Sequence, residues 1–201
     1  MGTDAAKWDE RYSAPDLAWG TEPNRRLVAE VGSLPPGRAL DLGAGEGRNA
    51  IWLASLGWTV TAVDFSRAGL ERASAIADDA EVAVELVLAD ATEYAPQPSG
   101  YDLVILMYLQ LPHPPLGDVV ARAASAVAPG GTFLLIAHDA DNLARGFGGP
   151  KDPAMLTRVT DVTAALGDLV VDHAGQVDRV VTVPDGDRVA IDALVRAHRL
   201  P

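Results

Sequence analysis

The stretch Asp41-Leu42-Gly43-Ala44-Gly45-Glu46-Gly47-Arg48-Asn49 follows the short apolar run Ala39 to Leu42 and precedes Ala50-Ile51-Trp52-Leu53-Ala54. It reads as a strand end, a glycine turn and the first turn of a helix. A turn of this kind lets a ligand lie against bare backbone, because glycines allow close approach and a helix start supplies unpaired N–H groups. Spacing narrows the ligand. A dinucleotide fingerprint has glycines at its first, third and sixth positions, the last for close helix packing. Here the third glycine is Gly47, and Arg48 holds the sixth position. The pyrophosphate of NAD is poorly matched, whereas a single nucleoside carrying an amino-acid tail fits.

Working outward, Thr59 to Val63 is β-branched and apolar, as suits a strand covered on both faces, and it finishes at Asp64. Gly57 stands where a left-handed helix cap is expected. Ser66 is a plausible N-cap for a helix carrying Leu70, Ala73, Ile76 and Ala77 on one side. Val82 to Leu88 reads as a third strand ending just before Asp90, and Tyr101 to Met107 as a central fourth. Leu116, Val119, Val120, Ala123, Ala124 and Val127 keep helical spacing until Pro129-Gly130-Gly131, after which Thr132 to Ala137 is the fifth strand. Upstream, Asn24 opens an amphipathic helix with Leu27, Val28, Val31 and Leu34, closed by Pro35-Pro36-Gly37. Downstream, 139–153 is polar and glycine-rich and is expected to lack regular structure, with a helix over about 154–166. The tail, Leu169 to Val183, Pro184-Asp185-Gly186-Asp187 and Arg188 to His198, is patterned as a β-hairpin.

Strand and helix alternating over five strands and then a hairpin imply one α/β domain: a mostly parallel sheet wrapped by helices, with an antiparallel strand at one edge. Ligands of such sheets bind beyond the carboxyl ends of the strands. Those ends carry Asp41 with the glycine loop, Asp64, Asp90, Met107-Tyr108 and His138-Asp139. A carboxylate about 20 residues past the first glycine can accept from vicinal hydroxyls, and Asp64 is 21 positions past Gly43.

The chain of 201 residues, with 16 basic and 28 acidic side chains and a net charge of −12, disfavours phosphate backbones and anionic membranes as partners. The absence of cysteine removes disulfides, thiolate nucleophiles and cysteine-based zinc sites, and no His/Asp/Glu cluster has ligand spacing, so no metal is expected. Met1 to Tyr12 is too polar for a signal peptide, and no apolar run reaches the roughly 20 residues of a membrane span, which makes a soluble cytoplasmic protein, monomer or homodimer, the default.

With the three strand-end carboxylates in view, the chain resembles the class I S-adenosylmethionine-dependent methyltransferases across essentially its whole length. Within them it is similar to the small-molecule branch that includes tellurite-resistance methyltransferases, through Trp8-Asp9-Glu10-Arg11-Tyr12, Trp19, GEGRN at 45–49 and VDFS at 63–66. The resemblance implies a Rossmann-like seven-stranded sheet with its last strand inserted antiparallel. It implies that Asp41, Gly43, Ala44, Gly45, Gly47 and Arg48 hold the methionine moiety of S-adenosylmethionine and Asp64, Phe65 and Ser66 flank the ribose. Asp90, Ala91 and Thr92 would then meet adenine, and Met107, Tyr108 and Leu109 line the sulfonium. Ala44 replaces a cysteine that many relatives carry; both are small.

The expected reaction is methyl transfer to an oxygen, nitrogen, sulfur or chalcogen atom of a small molecule, releasing S-adenosylhomocysteine. In-line displacement needs alignment and exclusion of water above all, and orientation can supply roughly 7–11 kcal/mol without any acid–base residue. A non-catalytic S-adenosylmethionine-binding regulatory module is the alternative, and a nicotinamide-dependent reductase is disfavoured by Arg48. Trp8, Tyr12 and Trp19, two of them four residues apart and so on one helical face, belong either to a lid over the cofactor (a helical cap over 1–34 on a core of 35–201) or to a segment packed on that core. His113 and His138 are each either a base for a substrate hydroxyl or amine, or a solvated loop histidine. Asp139 and Tyr108 are candidates of the same kind. Arg145 and Phe147 belong to a substrate-touching loop or to a mobile surface one, and His173 and His198, on the tail, receive no role.

Overall fold

A computed structural model describes residues 2–112 and 115–201, so the expectation at His113 lies outside the described residues. The strands form one seven-stranded sheet, and the chain divides into two compact units, 1–94 and 95–201.

In the first unit, helices α1 (Gly2–Tyr12) and α2 (Arg25–Val31) precede β1 (Arg38–Leu42), α3 (Arg48–Ser55), β2 (Thr59–Asp64), α4 (Arg67–Asp79) and β3 (Val84–Leu88). Asn24 starts α2 by accepting from the N–H groups of Arg26 and Leu27, and Leu27 and Val31 are buried beneath the helix. Gly57 takes φ 91 just past α3, as its position predicted. The hydroxyl of Ser66 accepts from Gly69 N–H at the head of α4, which buries Leu70, Ala73 and Ala77. β2 runs parallel to both β1 and β3. Its residues from Val60 to Asp64 are all buried, which is what a strand covered on both faces requires.

In the second unit, β4 (Tyr101–Met107) lies parallel to β5 (Val127–His138), joined through α5 (Pro115–Ala126). The hairpin β6 (Val170–Val183) and β7 (Gly186–His198) closes it, β7 pairing antiparallel with both β5 and β6. The expected insertion of an antiparallel last strand is therefore present.

Three expectations are corrected here. The helical spacing ends at Ala126 and the fifth strand, expected over Thr132 to Ala137, already begins at Val127, because Val127 is drawn into pairing with Tyr101 of β4. The segment 139–153 holds a short helix, α6 (Asn142–Arg145), because Asn142 is buried at its start: its Oδ1 accepts from Ile191 N–H at 2.7 Å and its Nδ2 donates to the Gly148 carbonyl at 3.0 Å. The helix expected over 154–166 shrinks to α7 (Val159–Ala164). Pro153 begins a single 3-10 turn, and Thr157 is drawn out as a bridge partner of Asp139, donating to the His138 carbonyl and accepting from Ala140 N–H, each at 2.9 Å. Among the described residues no helix is long and apolar enough to cross a membrane, and no three His, Cys, Asp or Glu side chains gather as a metal site.

Candidate functional site

The glycine loop turns at Gly43, Gly45 and Gly47, all at positive φ. Gly43 and Ala44 N–H both donate to the Val63 carbonyl, at 2.8 and 3.1 Å, so the loop is hung from the end of β2. Gly45 and Gly47 adopt left-handed φ of 57° and 77°. A Cβ on Gly47 would come within 2.8 Å of Ala73 Cβ on α4. The close helix packing that a dinucleotide motif assigns to its sixth position is met here by Gly47, which explains why Arg48 is tolerated after it.

Two carboxylates are buried at this loop. Asp64 is almost wholly covered, its Oδ2 accepting from Gly45 N–H and its Oδ1 from Ser66 N–H, both at 2.8 Å. Burial pushes its carboxyl up, and the two amide hydrogen bonds offset part of that rise. Asp41 is fully buried and neither of its oxygens has a hydrogen-bond partner. Burial, then the charge of Asp64, pushes its carboxyl up to about 7, against a smaller opposing pull from Arg48. An unpartnered buried carboxylate beside a second one is costly, and a cation is what would relieve it.

The N-terminal segment is tied down on the same loop. Tyr12 is buried, and its Oη lies 2.6 Å from where a Cβ on Gly45 would be. Burial, with the charges of Asp64 and Glu46, raises its phenol well above the usual tyrosine range. The Trp8 ring stacks on Tyr12 with centroids 5.4 Å apart, and Arg11 covers the Trp19 ring at 4.4 Å. Asp9 accepts from Ser66 Oγ and from Ala68 N–H, bonds that hold its carboxyl below the ordinary range. Glu46, only 2 % exposed, accepts from Ala18 N–H at 2.9 Å and from Arg72 Nη1 at 2.9 Å. Arg72 in turn donates to the carbonyls of Ala14 and Asp16. Arg48 Nη1 donates to the Trp19 carbonyl at 3.1 Å, and Asn49 Oδ1 accepts from Asn24 N–H at 3.0 Å. The run GEGRN thus anchors residues 14–24 with three of its side chains, a role that no local pattern in the sequence signals. At the end of β3, Asp90 Oδ1 accepts from both N–H and Oγ of Thr92, closing a tight turn over buried Ala91. Phe65 is half-buried.

The second unit gathers a polar cluster of its own. Met107 is buried at the end of β4, Leu109 is half-buried, and Tyr108 between them has φ 58°. Its N–H donates to the Ile136 carbonyl at 2.7 Å and its hydroxyl to Asp192 Oδ2 at 2.6 Å. The Tyr108 and His138 rings lie 4.9 Å apart. Asp192, on β7, stands directly opposite His138 in the β5–β7 register. His138 Nδ1 is buried without a hydrogen-bond partner, 3.4 Å from Asp192 Oδ1. Arg179 on β6 donates to the same carboxylate through Nε at 2.6 Å and Nη2 at 3.3 Å. Burial pushes Asp192 up, but His138, Arg179 and Tyr108 together outweigh it and keep the carboxyl below its ordinary range. Asp139, the next residue, accepts from Gln176 and from Asp141 N–H. Arg145 pairs with Asp141, while Phe147 is exposed. His198, far along β7, pairs with exposed Asp172. The sequence singled out Tyr108 and His138; Asp192 and Arg179, on the tail hairpin, complete the cluster and were not singled out.

Residues 39–131 match the family model described as "Methyltransferase domain". The ubiquinone biosynthesis O-methyltransferase of Burkholderia orbicola (strain MC0-3) is 36% identical over 95 residues, 47% of this chain and 41% of that protein. The protein of the same name from Burkholderia cenocepacia is 38% identical over 96 residues, with the same coverage of 47% and 41%. The chain thus matches well under two thirds of the length of these curated relatives. Among solved structures, TehB from Haemophilus influenzae superposes with a TM-score of 0.75 at 18% identity, covering 90% of this chain and 64% of that one. Magnesium protoporphyrin IX methyltransferase from Synechocystis PCC 6803, solved with bound SAH, gives a TM-score of 0.66 at 20% identity, with 97% and 82% covered. Through residues 39–131 the chain is similar to methyltransferase domains, and over nearly its whole length it has the fold of methyltransferases of known structure.

Proposed function

We propose that the protein transfers the methyl group of S-adenosylmethionine to an oxygen atom of a small molecule, as a single methyltransferase domain in the cytoplasm. The observation that carries the reading is Asp41: a fully buried carboxylate with no partner, beside a glycine loop and a second buried carboxylate. It fits the ammonium of an amino-acid tail, which would neutralise the buried charge. The family match supports methyl transfer, and the O-methyltransferase relatives favour oxygen as the accepting atom.

The bound cofactor supplies an electrophilic methyl on a sulfonium. This chain's residues would hold it through Asp41 toward the ammonium, the loop amides toward the methionine tail, Asp64 toward the ribose and Asp90 with Ala91 toward adenine. Asp64 already accepts two amide hydrogen bonds, yet each carboxylate oxygen has a second lone pair to offer. Residues 1–34, carrying Trp8, Tyr12 and Trp19, serve as a cap that keeps water away. His138 takes the proton of the acceptor hydroxyl; orientation supplies most of the rate.

Calorimetric titration with S-adenosylmethionine and S-adenosylhomocysteine, followed by a screen of phenols, thiols, amines and chalcogen oxyanions reading S-adenosylhomocysteine release, tests this. Binding of both and turnover with hydroxyl acceptors are expected. Thermal stabilisation by NADH in place of either ligand would overturn the reading, and binding without release in any acceptor would leave a regulatory module instead.

A further inference from the structure

We infer that Asp192 is a positioning residue for His138, holding its imidazole with Nδ1 inward and Nε2 as the nitrogen that receives the acceptor's proton, with Tyr108 and Arg179 fixing the carboxylate itself. This deepens the proposed reading and rests on it for the proton acceptor's identity.

The placement of Asp192 argues that it has a task. It interrupts the run Ala190-Ile191-Asp192-Ala193-Leu194-Val195, every member of which is buried, and is itself 1 % exposed. A buried carboxylate in a strand flanked on both sides is expensive unless its oxygens are met. Here four strands converge on it: Tyr108 from the end of β4, His138 from β5, Arg179 from β6, and its own β7. Antiparallel pairing puts His138 and Asp192 directly opposite, the geometry in which cross-strand side chains meet.

Tyr108 shows the same investment. A non-glycine residue at φ 58° is strained, and such outliers gather at functional sites. The strained backbone turns the phenol onto Asp192 Oδ2 and lays the ring against the imidazole. Opposite, a Cβ on Gly149 would lie 3.0 Å from His138 Cγ and Nδ1, so the 146–149 loop closes the Nδ1 side. The separation of 3.4 Å between His138 Nδ1 and Asp192 Oδ1 is of the kind that shortens when substrate is bound. When the acceptor hydroxyl releases its proton, it goes to Nε2 and an imidazolium forms. Its Nδ1–H then faces a carboxylate that stays ionised because Arg179 and Tyr108 both donate to it.

The hairpin holds a built-in contrast. His198 and Asp172 also pair, at 2.8 Å, but both are more than a third exposed and solvent screens them.

The test reads the imidazole directly. In protein labelled with 15N-histidine and assigned with H138Q, long-range 1H–15N spectra at about pH 8, above the ordinary imidazole range, report which ring nitrogen carries the proton. The wild-type protein is expected to show His138 as a single Nδ1–H tautomer, D192N to move it toward Nε2–H, and D172N to leave it unchanged. A His138 tautomer identical in wild type and D192N overturns the proposal. If D192N does not fold, D192E, expected to retain the tautomer, and Y108F, expected to weaken it, decide in the same way. No acceptor is needed, so a D192-dependent tautomer in a protein without turnover overturns the methyl-transfer reading alone. With a phenol turned over by the wild type, D192N is expected to lower kcat by about 10- to 100-fold at unchanged KM, with partial rescue in D192E; an unchanged kcat counts against the positioning role.

Discussion

Gly45 donates its backbone N–H to Asp64 Oδ2 at 2.8 Å, linking the glycine loop to the carboxylate at the end of β2. The bond is buried and its acceptor ionisable, so it belongs to the stronger class of hydrogen bonds. Asp64→Ala leaves the amides of Gly45 and Ser66 without their acceptor. Calorimetry is expected to show S-adenosylhomocysteine affinity falling by a factor of about 10 to 100, the equivalent of roughly 1.5–3 kcal/mol for a hydrogen bond to a charged group. Asp64→Asn, which keeps one acceptor oxygen, falls less. An affinity untouched by Asp64→Ala would remove the ribose role.

Gly45→Ala forces a left-handed φ of 57° on a residue with a side chain and drives its Cβ to within 2.6 Å of Tyr12 Oη. The backbone cost alone is about 1–2 kcal/mol. In the Tyr12→Phe background the nearest approach becomes 3.2 Å, to Cζ, so the clash is eased while the backbone cost stays. A double-mutant cycle in urea is expected to show less destabilisation from Gly45→Ala when Tyr12 is Phe, and strict additivity would mean that the phenol does not press on the loop.

How much of this was legible in the sequence follows the range of the interactions. The loop, the Ser66 cap, the Gly57 cap and the hairpin depend on a few consecutive residues, and their turn and cap chemistry is written locally. The helical spacing over 154–166 runs beyond α7 because the extended segment at Thr157 is held by His138, Asp139 and Ala140, distant in sequence, against that spacing. Glu46 stands within the glycine loop, yet its side chain turns to Ala18 and Arg72. Asp192 left one trace, a charge amid an apolar alternation, but its meaning depends on a cross-strand register that no local pattern states.

A third prediction follows from Glu46. Its carboxylate holds Ala18 N–H and Arg72, and Arg72 holds the carbonyls of Ala14 and Asp16. Glu46→Ala removes the hub. Amide exchange at Ala18 is expected to accelerate by about 10- to 100-fold, since a hydrogen bond to a charged group is worth roughly 1.5–3 kcal/mol of local opening. If residues 14–19 form part of a cap, cofactor affinity falls with it. Exchange at Ala18 equal to that of the wild type would show the segment to be held by its aromatic contacts instead.

Asp41 makes ligand-free stability depend on pH. The carboxyl is raised from its ordinary 3.8 to about 7 in the folded protein, by burial and then by Asp64. Between those two values the unfolded chain has released the proton and the folded chain keeps it, so the folded state binds more protons and ligand-free stability falls as pH rises through this window. The total is on the order of a few kcal/mol, at 1.36 kcal/mol per unit. Urea unfolding at about pH 5 and about pH 8 is expected to show this loss in the wild type and a smaller one in Asp41→Asn. A ligand ammonium reverses the balance, because it favours the ionised carboxylate. Binding of S-adenosylhomocysteine near neutral pH is then expected to release more protons from the wild type than from Asp41→Asn, read by calorimetry in buffers of different ionisation enthalpy. Equal proton release in the two proteins would mean that the buried carboxylate does not meet the amino-acid tail, and the loop would need another ligand to account for it.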